Sequence, residues 1–206
     1  MPHSATPRCT QLQRRETTRN ALIQAVFTVI KDEGYAAAST RRIAAVAGSS
    51  LGAMNYHFST RHELIAEAFD EIFGRATAEF QESVRQLEAE GEGGIGAILD
   101  SLWALWRTDI FAVWAHLWVA ATGDPELYDV LTPVESRLTK SIGTHLATFA
   151  PAGIDPKIWI RRSSLAVDAM RGLAFIQHFE PTGGTRRRDR WPDTRAELIE
   201  LLNRPN

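Results

Sequence analysis

Residues 39–64 carry polar side chains at a spacing that suits contact with a nucleic acid. The stretch is STRRIAAVAGSSLGAMNYHFSTRHEL, and a short helix near its middle would place Leu51, Met54 and Phe58 on one face. The opposite face would carry small and polar side chains, namely Ser50, Ala53, Asn55, Tyr56 and His57. Side chains of this kind can contact base edges in the major groove of DNA, where an α-helix fits.

A helix-turn-helix is the element that would position these side chains. Ser39 can cap a first helix, Gly48 can end it, and Ser49 or Ser50 can cap the second. Two small helices around a glycine-containing turn are typical of a helix-turn-helix. The alternative is an ordinary corner between two helices, and spacing alone does not separate the two interpretations.

A second group of residues could bind a small molecule, because residues 103–118 contain four tryptophans. Aromatic rings on one face of a helix suit flat apolar ligands, or cations held over the ring faces. The candidate ligand-binding residues are Trp103, Trp106, Phe111, Trp114, Trp118 and, further along the chain, Met170. The alternative interpretation is a purely structural aromatic core.

The motifs of enzymes are incomplete in this chain. His62 and Glu63 begin an HExxH zinc motif, but residue 66 is alanine. The GEGGIG stretch at 91–96 matches GxGxxG, yet it follows a polar helix end rather than a strand, and we predict a turn there. Cys9, the single cysteine, lies in a polar segment. We therefore expect no enzymatic activity, no cofactor and no metal.

Charge is unevenly distributed along the chain. Residues 1–65 hold eight Lys or Arg and four Asp or Glu, although the whole chain has a net charge of −2. A basic N-terminal third on an acidic body indicates a polyanionic partner for that third. The longest apolar run, 110–121, is too short to span a membrane, and the N-terminus lacks an apolar signal segment. With only one cysteine, the chain suits the reducing cytoplasm.

Helical periodicity extends along the chain, and no strand pattern competes with it. Further helices are predicted at 16–33, 61–90, 95–107, 111–122, 125–149, 156–179 and 191–203, with an unordered arm at 1–13 and a polar loop at 181–190. We predict an all-α fold. Residues 1–60 would form an N-terminal arm and a three-helix helix-turn-helix DNA-binding domain, and residues 61–206 a helical ligand-binding and dimerisation domain.

The helix-turn-helix stretch also resembles the DNA-binding signature of the TetR family of bacterial repressors. The matching residues are Thr40, Arg41, Ile43, Ala44, Ala47, Gly48, Ser50, Gly52, Tyr56, His57, Phe58, Arg61 and Leu64. Ser49, Asn55 and Arg61 differ from the residues most frequent in that signature. The later segments 114–118, 124–127 and 169–173 are similar to the C-terminal domain of the BetI-like branch.

The resemblance implies a homodimeric transcriptional regulator, commonly a repressor, that binds a palindromic operator in double-stranded DNA. It also implies a small-molecule effector, and a dimer interface formed by the helices near 156–179 and 191–203. The aromatic residues, rather than the resemblance, favour an effector that is apolar, aromatic or cationic. The candidates for phosphate contacts are Thr40, Tyr56, His57, Thr60 and Arg61, and those for base reading are Arg41, Ser50, Ala53 and Asn55. The alternative is a helical protein that binds a small molecule or a partner and whose helix-turn-helix does not read DNA.

Overall fold

A computed structural model of the chain describes residues 11–91, 94–178 and 189–205, and these residues form nine α-helices and no strand. The helices are α1 (Gln11–Glu33), α2 (Thr40–Val46), α3 (Leu51–His57), α4 (Arg61–Ala89), α5 (Ile95–Trp106), α6 (Asp109–Ala121), α7 (Pro125–Ala147), α8 (Pro156–His178) and α9 (Trp191–Asn203). A 3-10 turn at Tyr35–Ala37 separates α1 from α2. The predicted all-α fold is confirmed for the described part of the chain.

Local sequence signals form the helix-turn-helix as expected. The Ser39 hydroxyl accepts a hydrogen bond from the Arg42 amide, 3.2 Å away, and caps α2. Gly48 has a φ of 61°, which a glycine adopts without steric cost, and the chain turns there. The Ser50 hydroxyl accepts from the Ala53 amide at 3.0 Å and caps α3. Each cap satisfies an amide that the first turn of a helix leaves free.

The apolar faces of α1, α2 and α3 meet in one core. Ile30 of α1, Ile43 of α2, and Met54 and Phe58 of the α3 region are all at most 2% exposed. Leu51 differs from expectation, since it is 42% exposed at the start of α3. Its position in the first turn leaves it at the edge of the buried face, while Met54 and Phe58 anchor the helix.

Helix α4 connects this N-terminal unit with the rest of the molecule. Its 29 residues span about 44 Å at 1.5 Å per residue. Ile65 and Phe69 pack in the core shared with α1 to α3, whereas Phe80 and Val84 pack in a second core formed with α5, α7, α8 and α9. Because α4 enters both cores, displacement at one end can reach the other. A domain boundary between residues 60 and 61 stays a prediction.

Helix α1 begins earlier than the sequence pattern indicates. We expected the segment before residue 14 to lack structure, but α1 begins at Gln11. Glutamine, leucine and arginine are good helix formers. The hydroxyls of Thr17 and Thr18 each donate to the carbonyl four residues earlier, so both polar side chains are satisfied within the helix. The segment 1–10 of the predicted arm, with Arg8 and Cys9, lies outside the described residues. So do residues 92–93 of the predicted turn, residue 179 at the end of a predicted helix, and residues 181–188 of the predicted loop.

Candidate nucleic-acid interface and aromatic site

The outer face of α2 and α3 presents the predicted DNA-binding residues at the surface. Arg41, Ser50, Asn55, Tyr56 and Thr60 are exposed, with Tyr56 at 66%. The half-buried members of the set are Thr40, Ala53, His57 and Arg61. The core-facing residues of α3 point the other way, so α3 has one buried face and one polar outer face. Ser50 and Thr60 already use their hydroxyl oxygens as helix caps, and each keeps its hydroxyl hydrogen for another partner.

Arg61 is directed toward the 3-10 turn. Its guanidinium lies 4.2 Å from the ring centroid of Tyr35, and Nη2 donates to the Tyr35 carbonyl at 2.7 Å. In this position Arg61 fastens the start of α4 to the segment between α1 and α2. A phosphate contact by Arg61 stays a prediction, since the hydrogen bond to Tyr35 uses a single one of the five N–H donors of the guanidinium.

Helix α1 contributes a cation to the same outer face. The Arg15 guanidinium lies 5.0 Å from the ring centroid of Tyr56, within the range of a cation–π contact. Burial, together with the charges of Arg15 and Arg19, lowers the pKa of His57, so its imidazole is neutral at pH 7. The sequence places Arg15 just after the predicted unordered arm, as a residue that could contact the DNA backbone. Its place on α1 next to Tyr56 follows from the packing of α1 on α3.

A polar cluster, here called the joint, ties the N-terminal unit to the α6–α7 connection. The Tyr35 hydroxyl donates to Asp124 Oδ2 at 2.5 Å, and His62 Nε2 lies 3.2 Å from the same oxygen. His62 Nδ1 lies 3.1 Å from a Glu126 carboxylate oxygen. Asp124 also caps α7, because Oδ1 accepts from the Leu127 amide at 3.0 Å. The sequence identified Asp124 as the start of a helix and as part of the segment 124–127, but not as a partner of Tyr35 and His62.

Ionisation in the joint reflects these contacts. The hydrogen bond from Tyr35, followed by that from the Leu127 amide, lowers the pKa of Asp124 to about 2. Burial, followed by the hydrogen bond to Asp124, raises the pKa of Tyr35 to about 12. At neutral pH the cluster therefore holds an ionised carboxylate and a protonated phenol, which is the arrangement that a strong hydrogen bond requires.

The six predicted ligand-binding residues divide into separate groups. Trp103 is 4% exposed and stacks on Trp191 of α9 with ring centroids 4.6 Å apart. Phe111 stacks on Trp114 at 5.1 Å, whereas Trp118 meets the ring of Tyr128 edge-on at 5.9 Å. The buried members are Trp103, Trp106, Phe111 and Met170, and the half-buried members are Trp114 and Trp118. The structural interpretation therefore accounts for Trp103, while Trp106 and Trp114 lie next to a charged pair of side chains.

These charged side chains form an ion pair between α7 and α8, here called the Glu135–Arg171 pair. Arg171 Nη1 lies 2.8 Å from Glu135 Oε1, and the two side chains are only 16% and 17% exposed. The guanidinium lies 5.9 Å from the Trp106 ring centroid and 5.5 Å from that of Trp114. The Trp114 indole Nε1 donates to Glu135 Oε2 at 2.8 Å. Sequence reasoning missed both charged residues, because their pairing depends on how α7 packs against α8.

Metal binding and membrane insertion find no support among the described residues. No group of three or more His, Cys, Asp and Glu side chains is arranged to hold a metal ion there. Nor does any described helix combine the length and apolar character needed to cross a membrane.

Comparison with known sequences also identifies the N-terminal unit as a DNA-binding helix-turn-helix of bacterial regulators. Residues 22–68 match the model of the bacterial regulatory proteins of the tetR family. Over 133 residues the chain is 34% identical to Mb2936c of Mycobacterium bovis, an uncharacterized HTH-type transcriptional regulator, and the match covers 65% of this chain and 68% of that protein. CymR of Pseudomonas putida is 32% identical over 120 residues, covering 58% of this chain and 59% of CymR. The matched part thus spans less than two thirds of CymR.

A BetI regulator of Vibrio campbellii is 28% identical over 134 residues, covering 64% of this chain and 67% of that protein. This similarity confirms the expected likeness to BetI. All three relatives are described as HTH-type transcriptional regulators, which supports the expectation that the chain is not an enzyme.

Comparison with solved structures confirms the fold. The multidrug binding protein EbrR, solved with imidazole, superimposes with a TM-score of 0.65 at 24% identity, covering 91% of this chain and 96% of that chain. A protein of Saccharomonospora viridis described as a transcriptional regulator, solved with choline, superimposes with a TM-score of 0.61 at 20% identity, covering 92% and 97%. At these identities the likeness concerns the fold alone.

Proposed function

This chain belongs to the tetR family of bacterial regulatory proteins, and from that membership we propose that it is a cytoplasmic homodimeric repressor. It binds a palindromic operator and leaves it when a small-molecule effector binds. The exposed polar face of α3 is the observation that carries this proposal. Asn55 and Tyr56 of that face are exposed, while Met54 and Phe58 hold the helix in the core.

The proposed contacts with DNA follow the chemistry of these side chains. Asn55 reads an adenine through its amide, and Ala53 packs on a thymine methyl group. Arg41 and Ser50 reach other base edges. Contacts with the phosphates set the register of the protein on DNA and come from Thr40, Tyr56, His57, Thr60 and Arg61. Arg15, next to Tyr56, adds a further positive charge for the same backbone.

The proposed homodimer uses α8 and α9. Helix α8 exposes apolar side chains on its outer face, with Leu165 at 56%, Ile176 at 43% and Phe175 at 39%. Because each of these side chains is already about half buried, covering the rest of one of them stabilises an interface by about 1 kcal/mol. Ala169 and Gly172, also exposed, let a second helix approach closely. Two-fold symmetry would place the two α3 helices on half-sites about 34–36 Å apart, or a multiple of that distance.

The proposed effector acts through α4 and the joint. Binding near Trp106 and Trp114 would alter the packing of α7, whose first residues hold the N-terminal unit through Asp124 and Tyr35. The effector can lower operator affinity only if it binds the DNA-incompetent state more tightly. EbrR with imidazole and the S. viridis protein with choline support a small nitrogen-containing effector for the same fold.

Selection from a random pool of DNA duplexes tests the function. We expect the purified full-length protein to enrich a palindrome, and gel-shift affinity for it to fall steeply with salt. Arg41→Ala should lose at least tenfold in affinity. The matched control is Arg85→Ala, which removes an exposed arginine from the distant part of α4 and should bind like the wild type. Failure to enrich any sequence would instead favour a helical protein that binds a small molecule or a partner.

A further inference from the structure

We propose that Arg171 is a built-in substitute for the effector, and that the effector is an organic cation that takes its place over Trp106 and Trp114 and beside Glu135. This inference rests on the proposed function for the existence of an effector. It deepens that function by naming the effector's charge and the event that transmits binding.

The space between the two tryptophan rings is a site for a cation, and Arg171 occupies it. Both ring centroids lie within about 6 Å of the guanidinium carbon, the range in which the ring face attracts a positive charge. Arg171 is only 16% exposed, so little water competes for its charge. Aromatic faces and a carboxylate together form the kind of site that recognises quaternary or aromatic ammonium groups.

Glu135 gives the site its negative charge. Its carboxylate accepts from the Trp114 indole at 2.8 Å and from the Thr139 hydroxyl at 3.2 Å, and it pairs with Arg171. A carboxylate that is 17% exposed requires a positive partner, because removing one member of a buried pair leaves an uncompensated charge. Any molecule that displaces Arg171 must therefore replace its charge.

This requirement separates three classes of ligand. An anion would bring a second negative group to a guanidinium that already neutralises Glu135. A neutral aromatic molecule would displace Arg171 from the rings and leave Glu135 without a partner. A cation with an apolar or aromatic body replaces both contacts of Arg171 and keeps the net charge of the site unchanged. A cationic effector is therefore favoured, because it leaves the net charge next to Glu135 unchanged.

When Arg171 is displaced, its side chain can rotate toward the surface of α8. Asp168 lies three residues earlier on α8 and is exposed, so its carboxylate can receive the guanidinium at the surface. A cavity of about 60 Å³ between α7 and α8 is lined by both residues, together with Ile142, Leu146 and Val167. The rotation needs no unfolding of α8.

Displacement would break an ion pair between α7 and α8. Helix α7 begins at the joint, where Asp124 holds Tyr35 and lies next to His62 of α4. Loss of the Glu135–Arg171 pair therefore removes a direct link between α8 and α7, the helix that anchors the N-terminal unit. An effector that replaces Arg171 breaks the Glu135–Arg171 contact between α7 and α8. It therefore binds the state without this contact more tightly, which is the difference in affinity that regulation requires.

Calorimetric titration of the full-length protein without DNA tests the inference. The probes are benzyltrimethylammonium, its uncharged carbon analogue neopentylbenzene, and benzoate. We expect measurable binding of the cation alone. Arg171→Met, which keeps a long apolar stem without charge, should bind the cation at least tenfold more tightly. Glu135→Gln should bind it at least tenfold more weakly. Arg137→Met on α7, an exposed arginine paired with Asp70, is the matched control and should not change the affinity.

A second variant at the same position keeps the test valid if Arg171→Met does not fold, which circular dichroism would reveal. Arg171→Lys keeps the charge but presents a more strongly hydrated ammonium that leaves the rings more readily. We expect cation binding three- to tenfold tighter than in the wild type. The inference is overturned if benzoate binds and the affinity disappears in Arg171→Met, or if neither Arg171 variant binds the cation more tightly. Because DNA is absent, these outcomes are independent of the selection that tests the regulator itself.

Discussion

The two ends of the molecule use their functional residues in opposite ways. At the N-terminal end, Asn55 and Tyr56 are exposed and contribute little to the core, while Met54 and Phe58 hold α3 in place. Around the aromatic residues of α5 and α6, by contrast, the candidate ligand-binding residues are themselves part of the core, and Trp103 is 4% exposed. DNA recognition and stability should therefore be separable in the first region, whereas ligand binding and stability should be coupled in the second.

Trp103→Ala should give the largest effect on stability. The substitution removes a buried ring that stacks on Trp191, and losses of about 3–5 kcal/mol are usual for truncating a buried tryptophan. Urea denaturation monitored by far-UV circular dichroism measures it. Val119→Ala on α6, where the side chain is 55% exposed, is the control and should change the unfolding free energy by no more than about 0.5 kcal/mol. A loss below about 1 kcal/mol for Trp103→Ala would remove the proposed contrast.

The same contrast explains what the sequence could predict. The caps at Ser39 and Ser50 and the turn at Gly48 are signals read within four residues, and the structure confirms them. Helical periodicity also predicted the helices of the described residues, apart from the early start of α1, and it wrongly expected Leu51 to be buried.

The polar clusters were not predicted, because each joins helices that are distant in the chain. Tyr35 and Asp124 are 89 residues apart, and the Glu135–Arg171 pair depends on the packing of α7 on α8. A pattern of apolar spacing states which face of a helix is buried. It does not state which charged side chain of one helix meets which partner on another.

Asn55→Ala tests whether DNA recognition by α3 is independent of stability. We expect the variant to lose discrimination at one base position of the selected operator, by roughly tenfold, since a bidentate contact with a base discriminates by about 1–3 kcal/mol. The free energy of unfolding should change by less than about 0.5 kcal/mol. Gel-shift titration against operators substituted at single positions measures the preference. The control is Gln86→Ala, which removes an exposed amide near the end of α4. Unchanged discrimination would show that Asn55 does not read a base.

Asp124→Asn tests the joint, where the two ends meet. Asparagine keeps the helix cap but loses the charge that Tyr35 and His62 contact, and we expect a loss of about 1–2 kcal/mol at pH 7. Because the pKa of Asp124 is lowered to about 2, its contribution is present above the ordinary carboxyl pKa. The difference between wild type and variant should therefore shrink as the pH falls from about 4 to about 2. Urea denaturation across this pH range measures it, with Asp129→Asn on α7 as control. If the difference in unfolding free energy between wild type and Asp124→Asn does not change with pH, the pKa of Asp124 is not lowered by these contacts.

Arg15→Ala should give the smallest effect and sharpens the comparison furthest. Arg15 is exposed on α1 and contacts only the outer ring of Tyr56 among the described contacts, so its removal should leave the unfolding free energy unchanged. If its charge meets a phosphate, the slope of log affinity against log salt should become shallower by about one for each subunit that makes the contact. The loss should be equal for all DNA sequences, in contrast to Asn55→Ala. A loss confined to certain operators would instead mean that Arg15 orients Tyr56 for reading a base.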